Sequence, residues 1–403
     1  MTPSKAQITW LALLLPLALA SAAVGTDFAL THSQDLQWDE ARLILDGINP
    51  YLLYFDPALP RPDYVVPERL GLTQPPSAVL LFAPIALPSF EHAKILWILI
   101  NFAATPAFVL LSARLFCPGR FGWFGLFAIT LLFIVSMPWR ITLGNGQYCL
   151  VAMTLFLVAL HFFRERRLGL ATLFAALALM KHILVLPFFA LFLPRKRDMA
   201  FVLAGALLIH AGLTVVAGLM VGERPDLLLL QSLRIASSIA GAGAYDLFAF
   251  QAFIAPRLGT AAPMLAASLL IALTVAMCWR GAGLRELAAL SIVSIVIVYH
   301  RSYDAIVLMF LVLHLLARGM DERGASAPLD RAELHLGWAV IAYIFAVDQF
   351  VYGLLGPETH ARINAGFSAL LYAYLGLLIF RSFRERTRPR SARRPAPSPS
   401  RAG

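Results

Sequence analysis

An apolar stretch, ITWLALLLPLALASAAVG (residues 8–25), precedes an acidic and aromatic one, SQDLQWDEARLILDGINPY (residues 33–51). The first is about as long as a helix that crosses a bilayer. The second gathers carboxylates beside that helix, on one face of the membrane. A reaction on a lipid-borne substrate requires such a position, because the substrate stays at the membrane surface.

Composition assigns the whole chain to the membrane. Of its 403 residues, 60% are hydrophobic and 14% are charged, and apolar runs of spanning length recur. The net charge of +10 does not indicate a nucleic-acid partner, because the basic residues fall at the ends of apolar segments and in the C-terminal tail. The sequence therefore predicts an all-α polytopic membrane protein with about 11–13 membrane helices.

The distribution of charge also predicts the topology. If residues 1–7 are cytoplasmic and the first helix is retained, not cleaved as a signal peptide, the basic loops fall on the same side of the membrane. The membrane domain is then residues 1–380, with external loops at 26–75 and 223–259, and a disordered basic cytoplasmic tail follows at 381–403. Spanning helices are predicted at residues 8–25, 91–113, 121–139, 147–163, 199–222, 260–279, 287–299, 305–317, 334–354 and 363–380.

Three further apolar segments are too short for an ordinary crossing. Residues 76–88 contain Pro84 and are predicted to dip into the membrane from outside. Residues 168–180 and 183–193 flank Lys181, which predicts a bent hairpin whose turn approaches the outer face. A polar turn at this depth is tolerated only inside protein or beside a wet cavity.

The first external loop is predicted to contain a helix that lies in the membrane interface. Apolar side chains share one helical face, and charged ones share another, namely Asp35, Asp39, Arg42 and Asp46. Near the helix start, the positive end of the helix dipole keeps Asp35 ionised and able to act as a general base. Two alternatives stay open: Asp35 caps the helix, or Asp39 is the base unless it only pairs with Arg42.

Two places in the chain put cations at membrane depth. Lys181 interrupts a long apolar run, and His300 and Arg301 lie between two short spans. Ionisable groups in a membrane are costly and mark functional sites, so these three residues are candidates to bind a phosphate group. The alternatives are that Lys181 snorkels to the interface and that Arg301 pairs with Asp304 in an external turn.

Uncharged hydrogen-bonding groups of the kind that a sugar needs occur in an external turn at residues 140–147. Its glycines allow close backbone approach, and Asn145 and Gln147 supply side-chain amides. Tyr51 of the first loop and Asp348 of a late helix are placed in the same sugar and acceptor site. The alternative for Asp348 is that it pairs with its neighbour Gln349.

No metal site and no cofactor are predicted. Three cysteines lie in different apolar segments, and no two histidines have the spacing of metal ligands. The chain contains neither an Asp-X-Asp sequence nor a glycine-rich loop before Lys-Ser or Lys-Thr. Nucleotide-sugar and ATP sites are therefore unsupported.

The order of these motifs resembles glycosyltransferase family 87, the polyprenol-phosphate-mannose-dependent mannosyltransferases of the GT-C fold. The resemblance extends from about residue 8 to residue 303, and it departs from the family pattern at His182, where relatives often have proline, and at the second acid, Asp39. Its carriers in chain order are Asp35-Leu36, GINPY (47–51), QPP (74–76), GNGQ (144–147), residues 168–181 and YHRSYD (299–304).

The resemblance implies an inverting, metal-independent transfer from a polyprenyl-phosphate sugar, with mannose as the family default. Asp35 matches the family's loop aspartate, and Lys181 and His300 match polar positions near the donor phosphate. The expected protein transfers a sugar to a lipid or glycan acceptor at the periplasmic face of a bacterial inner membrane, with the donor, the acceptor and membrane lipids as its partners. The alternative is a transporter or flippase of a charged lipid or solute, although the long first external loop and the lack of two similar halves argue against it.

Overall fold

A computed structural model of the chain describes residues 5–56, 58–70, 74–238, 246–254, 261–297, 301–321 and 328–387. Within these ranges the regular elements are all helical, which confirms the predicted all-α class. The helices of the N-terminal half are α1 (Lys5–Thr31), α2 (Trp38–Leu45), α3 (Pro50–Phe55), α4 (Pro76–Leu80), α5 (Ala83–Ala86), α6 (Phe90–Phe116), α7 (Trp123–Val135), α8 (Met137–Gly144), α9 (Cys149–Arg164) and α10 (Leu168–Ala178).

The second half continues with nine α-helices among the residues that are described. These are α11 (His182–Val185), α12 (Lys196–Val221), α13 (Pro225–Ser238), α14 (Leu247–Ile254), α15 (Ala261–Cys278), α16 (Leu284–Val296), α17 (Met309–Asp321), α18 (Pro328–Ala342) and α19 (Asp348–Thr387). Irregular turns join several of them: 3-10 segments at Pro67–Arg69, Leu179–Lys181, Leu186–Arg195 and Ser302–Leu308, and a π-helical turn at Tyr343–Val347.

Six helical stretches of the described chain are long and apolar enough to cross a membrane, or up to seven if the bent pair α7 and α8 forms one span. The polytopic membrane class is thereby confirmed. Length explains why this number is below the number of crossings predicted from the sequence. Helices α9 and α16 have 16 and 13 residues, fewer than the about 20 that a perpendicular crossing needs.

The stretch Leu168–Val221 counts as one span of 54 residues, but it folds back on itself. As a straight helix it would extend about 80 Å, far beyond a hydrocarbon core of about 30 Å. The chain instead turns at Lys181, returns through the 3-10 segment Leu186–Arg195, and rises again as α12, which packs against α10. This path agrees with the bent hairpin predicted around Lys181.

The span predicted at residues 121–139 ends earlier, with α7 at Val135, and the residues predicted as an external turn begin within α8, which meets α7 at an angle of 64°. Ser136 between them has an extended backbone, and its hydroxyl donates to the Phe133 carbonyl at 2.6 Å. Pro138 follows in the first turn of α8, where its missing N–H costs no hydrogen bond. The break directs α8 towards the 3-10 segment Ser302–Leu308, against which it packs.

Helix α2 of the first loop packs on protein instead of lying exposed at the interface. It begins at Trp38, whose indole Nε1 donates to the Pro88 carbonyl at 3.0 Å. Both acids of its first turn, Asp39 and Glu40, are fully buried. The predicted helix is present, but the acids of its first turn are buried in protein, whereas Arg42 and Asp46 at its other end remain partly exposed.

The predicted tail begins later than residue 381. Helix α19 continues to Thr387, and Arg381 forms ion pairs with Asp330 and Glu333 of α18. These contacts join the last helix to the bundle at the end where Arg285 pairs with Glu385 at 2.6 Å. The rest of the predicted tail, residues 388–403, lies outside the described residues.

Candidate functional site

Lys181 is the cation around which the site is arranged. Its ammonium lies 3.4 Å from Asp304 Oδ1 and 3.3 Å from Gln147 Oε1. The rings of Tyr148 and Tyr303 lie beneath it, with centroids at 4.8 and 5.1 Å. Only 8% of Lys181 is exposed, so the side chain is held inside the protein and does not snorkel to the interface.

The turn after α8 brings Gln147 to this lysine. Gly146 has a φ of +72°, which glycine adopts without strain. A Cβ atom at Gly146 would lie 2.9 Å from Leu36 Cβ, so the absence of a side chain also lets the first loop approach. The turn and the loop are thereby in direct contact.

Backbone hydrogen bonds attach Asp35 to the same turn. The amide of Asp35 donates to the carbonyl of Asn145 at 2.9 Å, and the amide of Ser33 donates to that of Gly144 at 3.3 Å. These two main-chain hydrogen bonds join the first loop to the turn and hold the backbone of Asp35 in place. Its distance from the Lys181 site is fixed by a turn that also supplies Gln147.

The Asp35 carboxylate is partly exposed and forms no hydrogen bond or ion pair with another described residue. It does not cap α2, since the N-cap is Gln37 and no side chain caps that end. Asp35 and Asp304 both act electrostatically on the hydroxyl of Tyr148. The carboxylate thus belongs to the surroundings of Lys181 while keeping its oxygens available.

Asp39 has a different environment. Arg69 Nη2 donates to its Oδ1 at 2.9 Å, and Arg69 Nε lies 2.8 Å from its Oδ2. The guanidinium in turn stacks on the Phe90 ring at 4.0 Å. Burial raises the pKa of Asp39 to about 6, although the charge of Arg69 acts to lower it.

The predicted pair of Asp39 with Arg42 is wrong. Arg42 Nε instead lies 3.1 Å from Asp46 Oδ2, one helical turn further on. Tyr64 donates a hydrogen bond to the same oxygen at 2.6 Å. This hydrogen bond is the main reason why the pKa of Asp46 is below its usual value.

Two carboxylates in the site were not selected as site residues from the sequence. Glu40 is fully buried and acts electrostatically on Tyr51 and Tyr148. Asp304 was considered only as a partner of Arg301, yet its carboxylate lies against Lys181. The sequence contains a signal that Glu40 could be buried. Asp39 and Glu40 are adjacent in an eight-residue helix, and successive residues of a helix cannot share one solvated face.

The remaining predicted site residues have varied positions. His300 lies outside the described residues, and Arg301 is exposed at the start of the segment that carries Asp304. Tyr51 is fully buried and donates its hydroxyl hydrogen to the Gln74 carbonyl at 2.8 Å. Asn145 is partly exposed in the turn beside Asp35.

Asp348 contacts the beginning of the segment that carries Asp304. Its Oδ2 accepts a hydrogen bond from the Ser302 hydroxyl at 3.3 Å, and its Oδ1 lies 2.7 Å from His360 Nε2. Only 1% of the residue is exposed. Both oxygens are therefore engaged within the protein, and the neighbour Gln349 lies outside the residues whose side chains are described.

Together these groups can accept a proton and stabilise an anion. Asp35 offers a carboxylate, and Lys181 offers a buried ammonium that forms an ion pair with Asp304. Among the described residues, no three or more His, Cys, Asp or Glu side chains are placed so that they could hold a metal ion together. What the side chains themselves supply is acid–base and electrostatic chemistry.

Comparison with known proteins assigns the chain to a family. The family model for Glycosyltransferase family 87 matches residues 73–300, which includes the turn at 144–147 and Lys181. No curated protein and no solved structure matches the chain. Asp304 lies four residues beyond the matched region, and Asp35 lies 38 residues before it. Because the match spans more than half of the sequence, the chain belongs to glycosyltransferase family 87.

Proposed function

We propose that this membrane glycosyltransferase transfers a sugar from a polyprenyl-phosphate donor to a lipid or glycan acceptor. The transfer inverts the anomeric centre and needs no metal, and mannose is the sugar that the family suggests. The protein acts in a bacterial inner membrane with its active site at the periplasmic face. Family membership supports glycosyl transfer over the alternative of a transporter or flippase.

One observation carries the proposal: a carboxylate with available oxygens and a buried ammonium are attached to the same turn. The Asn145 carbonyl holds the backbone of Asp35, and the Gln147 amide oxygen contacts Lys181. A transfer from a sugar phosphate needs a proton acceptor for the incoming hydroxyl and a cation for the leaving phosphate. The turn contacts the residues that would supply both, Asp35 and Lys181.

The reaction balances as follows. The acceptor hydroxyl gives its proton to Asp35, and its oxygen forms a bond to the anomeric carbon. The bond between that carbon and the phosphate oxygen breaks on the opposite face of the sugar, and the polyprenyl phosphate leaves with the electron pair. Lys181 stabilises the departing anion, with Arg301 and His300 as further candidate cations.

The partner of Lys181 gives the site a charge balance before the donor binds. An unpaired ammonium at this depth would be costly, and Asp304 offsets that cost at 3.4 Å. A donor phosphate then brings a second anion to the ammonium. The proton acceptor must be a different carboxylate, since Asp304 is already engaged with the cation.

Asp35 suits the role of base better than Asp39. The Asp39 carboxylate is fully buried and held by two nitrogens of Arg69. An acceptor hydroxyl could reach it only if that ion pair opened, and breaking a buried pair costs about 3–5 kcal/mol. Asp39 therefore positions the first loop, and Asp35 contacts the substrate.

The assignment to the periplasmic face rests on charge. Basic residues gather at one end of the spans, as in Arg164-Glu165-Arg166-Arg167 and Arg195-Lys196-Arg197, whereas the loop with Asp35 belongs to the other end. Basic ends face the cytoplasm in membrane proteins. A polyprenyl-linked sugar is a suitable donor at the opposite face, because its lipid confines it to the bilayer.

The test is transfer by the purified protein in lipid nanodiscs, with polyprenyl-phosphate mannose that is labelled in the sugar and an extract of cell lipids and glycans as acceptor. Asn keeps the shape of Asp but cannot accept the proton, so Asp35→Asn should lose at least about 10² in turnover. Asp39→Asn is the matched control and should lose less than about 10-fold. A chelator should leave the wild-type rate unchanged.

Three results would contradict the proposal. If Asp39→Asn is inactive and Asp35→Asn is active, the general base is Asp39, one helical turn after Asp35. Chelator-sensitive transfer that Mg²⁺ or Mn²⁺ restores assigns a metal to the site. If wild-type protein transfers no label, and cells that lack the gene accumulate an unmodified solute by mass spectrometry, the protein is a transporter.

A further inference from the structure

Helix α19 contains a sharp turn that joins two distant residues. Gly356 has φ 75° and ψ 171°, a backbone conformation that is essentially restricted to glycine. Asp348 and His360 are 12 residues apart, which in a straight helix is about 18 Å. The turn instead places His360 Nε2 2.7 Å from Asp348 Oδ1.

The histidine is itself held in place. Tyr343, the first residue of the π-helical turn, donates to Asn364 Oδ1 at 2.6 Å. Asn364 Nδ2 lies 3.2 Å from His360 Nε2. Side chains of Asp348 and His360 are 2% and 16% exposed, so this pair is sheltered from solvent and has a defined geometry.

The second oxygen of Asp348 connects the pair to the Lys181 site. Ser302 donates its hydroxyl to Oδ2 at 3.3 Å. Ser302 begins the 3-10 segment Ser302–Leu308, and the next two residues supply the Tyr303 ring and the Asp304 carboxylate that contact Lys181. Asp348 thus holds the first residue of the segment that surrounds the ammonium.

A second contact, from a different helix, holds the same segment. The hydroxyl of Thr142 in α8 donates to the Tyr303 carbonyl at 3.3 Å. Cys149 Sγ lies 3.6 Å from the same carbonyl, so both contacts hold Tyr303, whereas Asp348 holds Ser302. A 3-10 segment has weaker hydrogen-bond geometry than an α-helix, so external contacts contribute more to its position.

We propose that Asp348 and His360 are positioning residues for donor binding. The pair holds Ser302 so that Tyr303 and Asp304 keep the Lys181 ammonium where the donor phosphate binds. This inference rests on the proposed function, but it concerns residues beyond position 300, where the family match ends. It also assigns a role to His360, which is not part of any motif that the sequence analysis identified.

A test that needs no substrate is hydrogen exchange of the wild-type protein and two variants in nanodiscs. His360→Gln removes the partner of Asp348, and Ser302→Ala removes only the hydroxyl that reaches it. Amides of residues 302–308 should exchange at least about 5-fold faster in both. His161→Gln, which breaks a comparable contact of 3.2 Å to Glu165 far from the site, should leave them unchanged.

Transfer kinetics supply the second readout. Both variants should raise the KM for the polyprenyl-phosphate donor about 5–10-fold and leave the KM for the acceptor unchanged. The double variant Ser302→Ala/His360→Gln should be no worse than His360→Gln alone, because both changes interrupt one chain of contacts. A merely structural role would lower the amount of active enzyme and leave both KM values alone.

The inference is overturned if exchange in residues 302–308 is unchanged, if the two KM values rise together, or if the effects of the single variants add. Failure of the proposed function appears differently. In that case the wild-type protein transfers no sugar from any polyprenyl phosphate, while the exchange experiment still reports whether Asp348 and His360 hold the segment.

Discussion

The ammonium of Lys181 and the carboxylate of Asp304 lie 3.4 Å apart, and both residues are buried. A buried ion pair seldom adds net stability, since desolvating two charges costs about as much as their attraction returns. Its presence beside two tyrosine rings therefore points to a role in binding. The pair also makes the function of Lys181 separable from its contribution to folding.

Lys181→Ala should lower transfer by about 10²–10³, because the leaving phosphate loses its cation. It also leaves Asp304 buried without this partner, which should lower the melting temperature. The double variant Lys181→Ala/Asp304→Asn removes that charge and should recover most of the melting temperature without recovering transfer. Recovery of both would mean that Lys181 serves only to compensate Asp304.

Gly146→Ala should reduce transfer at least about 10-fold, because its Cβ atom would lie 2.9 Å from Leu36 Cβ and push the first loop from the turn. The matched control is Gly222→Ala, with a φ of +67° and no atom within 4 Å of a new Cβ. That variant should lose only about 1 kcal/mol of stability. Equal rates for the two variants would show that contact between loop and turn is not required.

The first loop should become more stable as the pH falls. Burial raises the pKa of Asp39 from its ordinary value of 3.8 to about 6, so the folded loop binds this proton more tightly than the unfolded loop does. The stabilisation grows as the pH falls from about 7 to about 4, and it amounts to about 3 kcal/mol at most. Limited proteolysis of the loop, compared between wild type and Asp39→Asn, measures it. An identical pH dependence in both proteins would assign it to other groups.

Cysteine labelling tests the topology. The native cysteines at 117, 149 and 278 are buried, so they give little background. Ser237→Cys in the second external loop should react with an impermeant thiol reagent added to intact cells, and Arg280→Cys should react only after lysis. Labelling of the Arg280 variant in intact cells would reverse the orientation and move the active site to the cytoplasm.

Features that depend on local sequence were predictable. Apolar runs place the spans, and a charge that interrupts such a run places the turn at Lys181. The break at Ser136 was not predicted, because the apolar run continues through it and only Pro138 marks it. The count of crossings was uncertain for the same reason, since composition does not reveal where an apolar chain bends.

Partners that are distant in sequence could not be predicted. Asp39 binds Arg69, 30 residues later, whereas helical spacing suggested Arg42. Pairing rules describe neighbours within a helix, and they do not say which loop folds over it. The contact of Asp348 with His360 depends on the conformation of Gly356, which a sequence pattern does not specify.

The Asp35 amide donates a hydrogen bond to the main-chain carbonyl of Asn145, so residue 145 holds Asp35 through its backbone and not through its side chain. The carbonyl at residue 145 fixes the base whatever side chain is attached to it, provided that the turn keeps its shape. The Asn145 side chain is therefore not needed to hold Asp35. On the proposed mechanism, exchange of Asn145 should change the preferred sugar while the proton acceptor stays where it is.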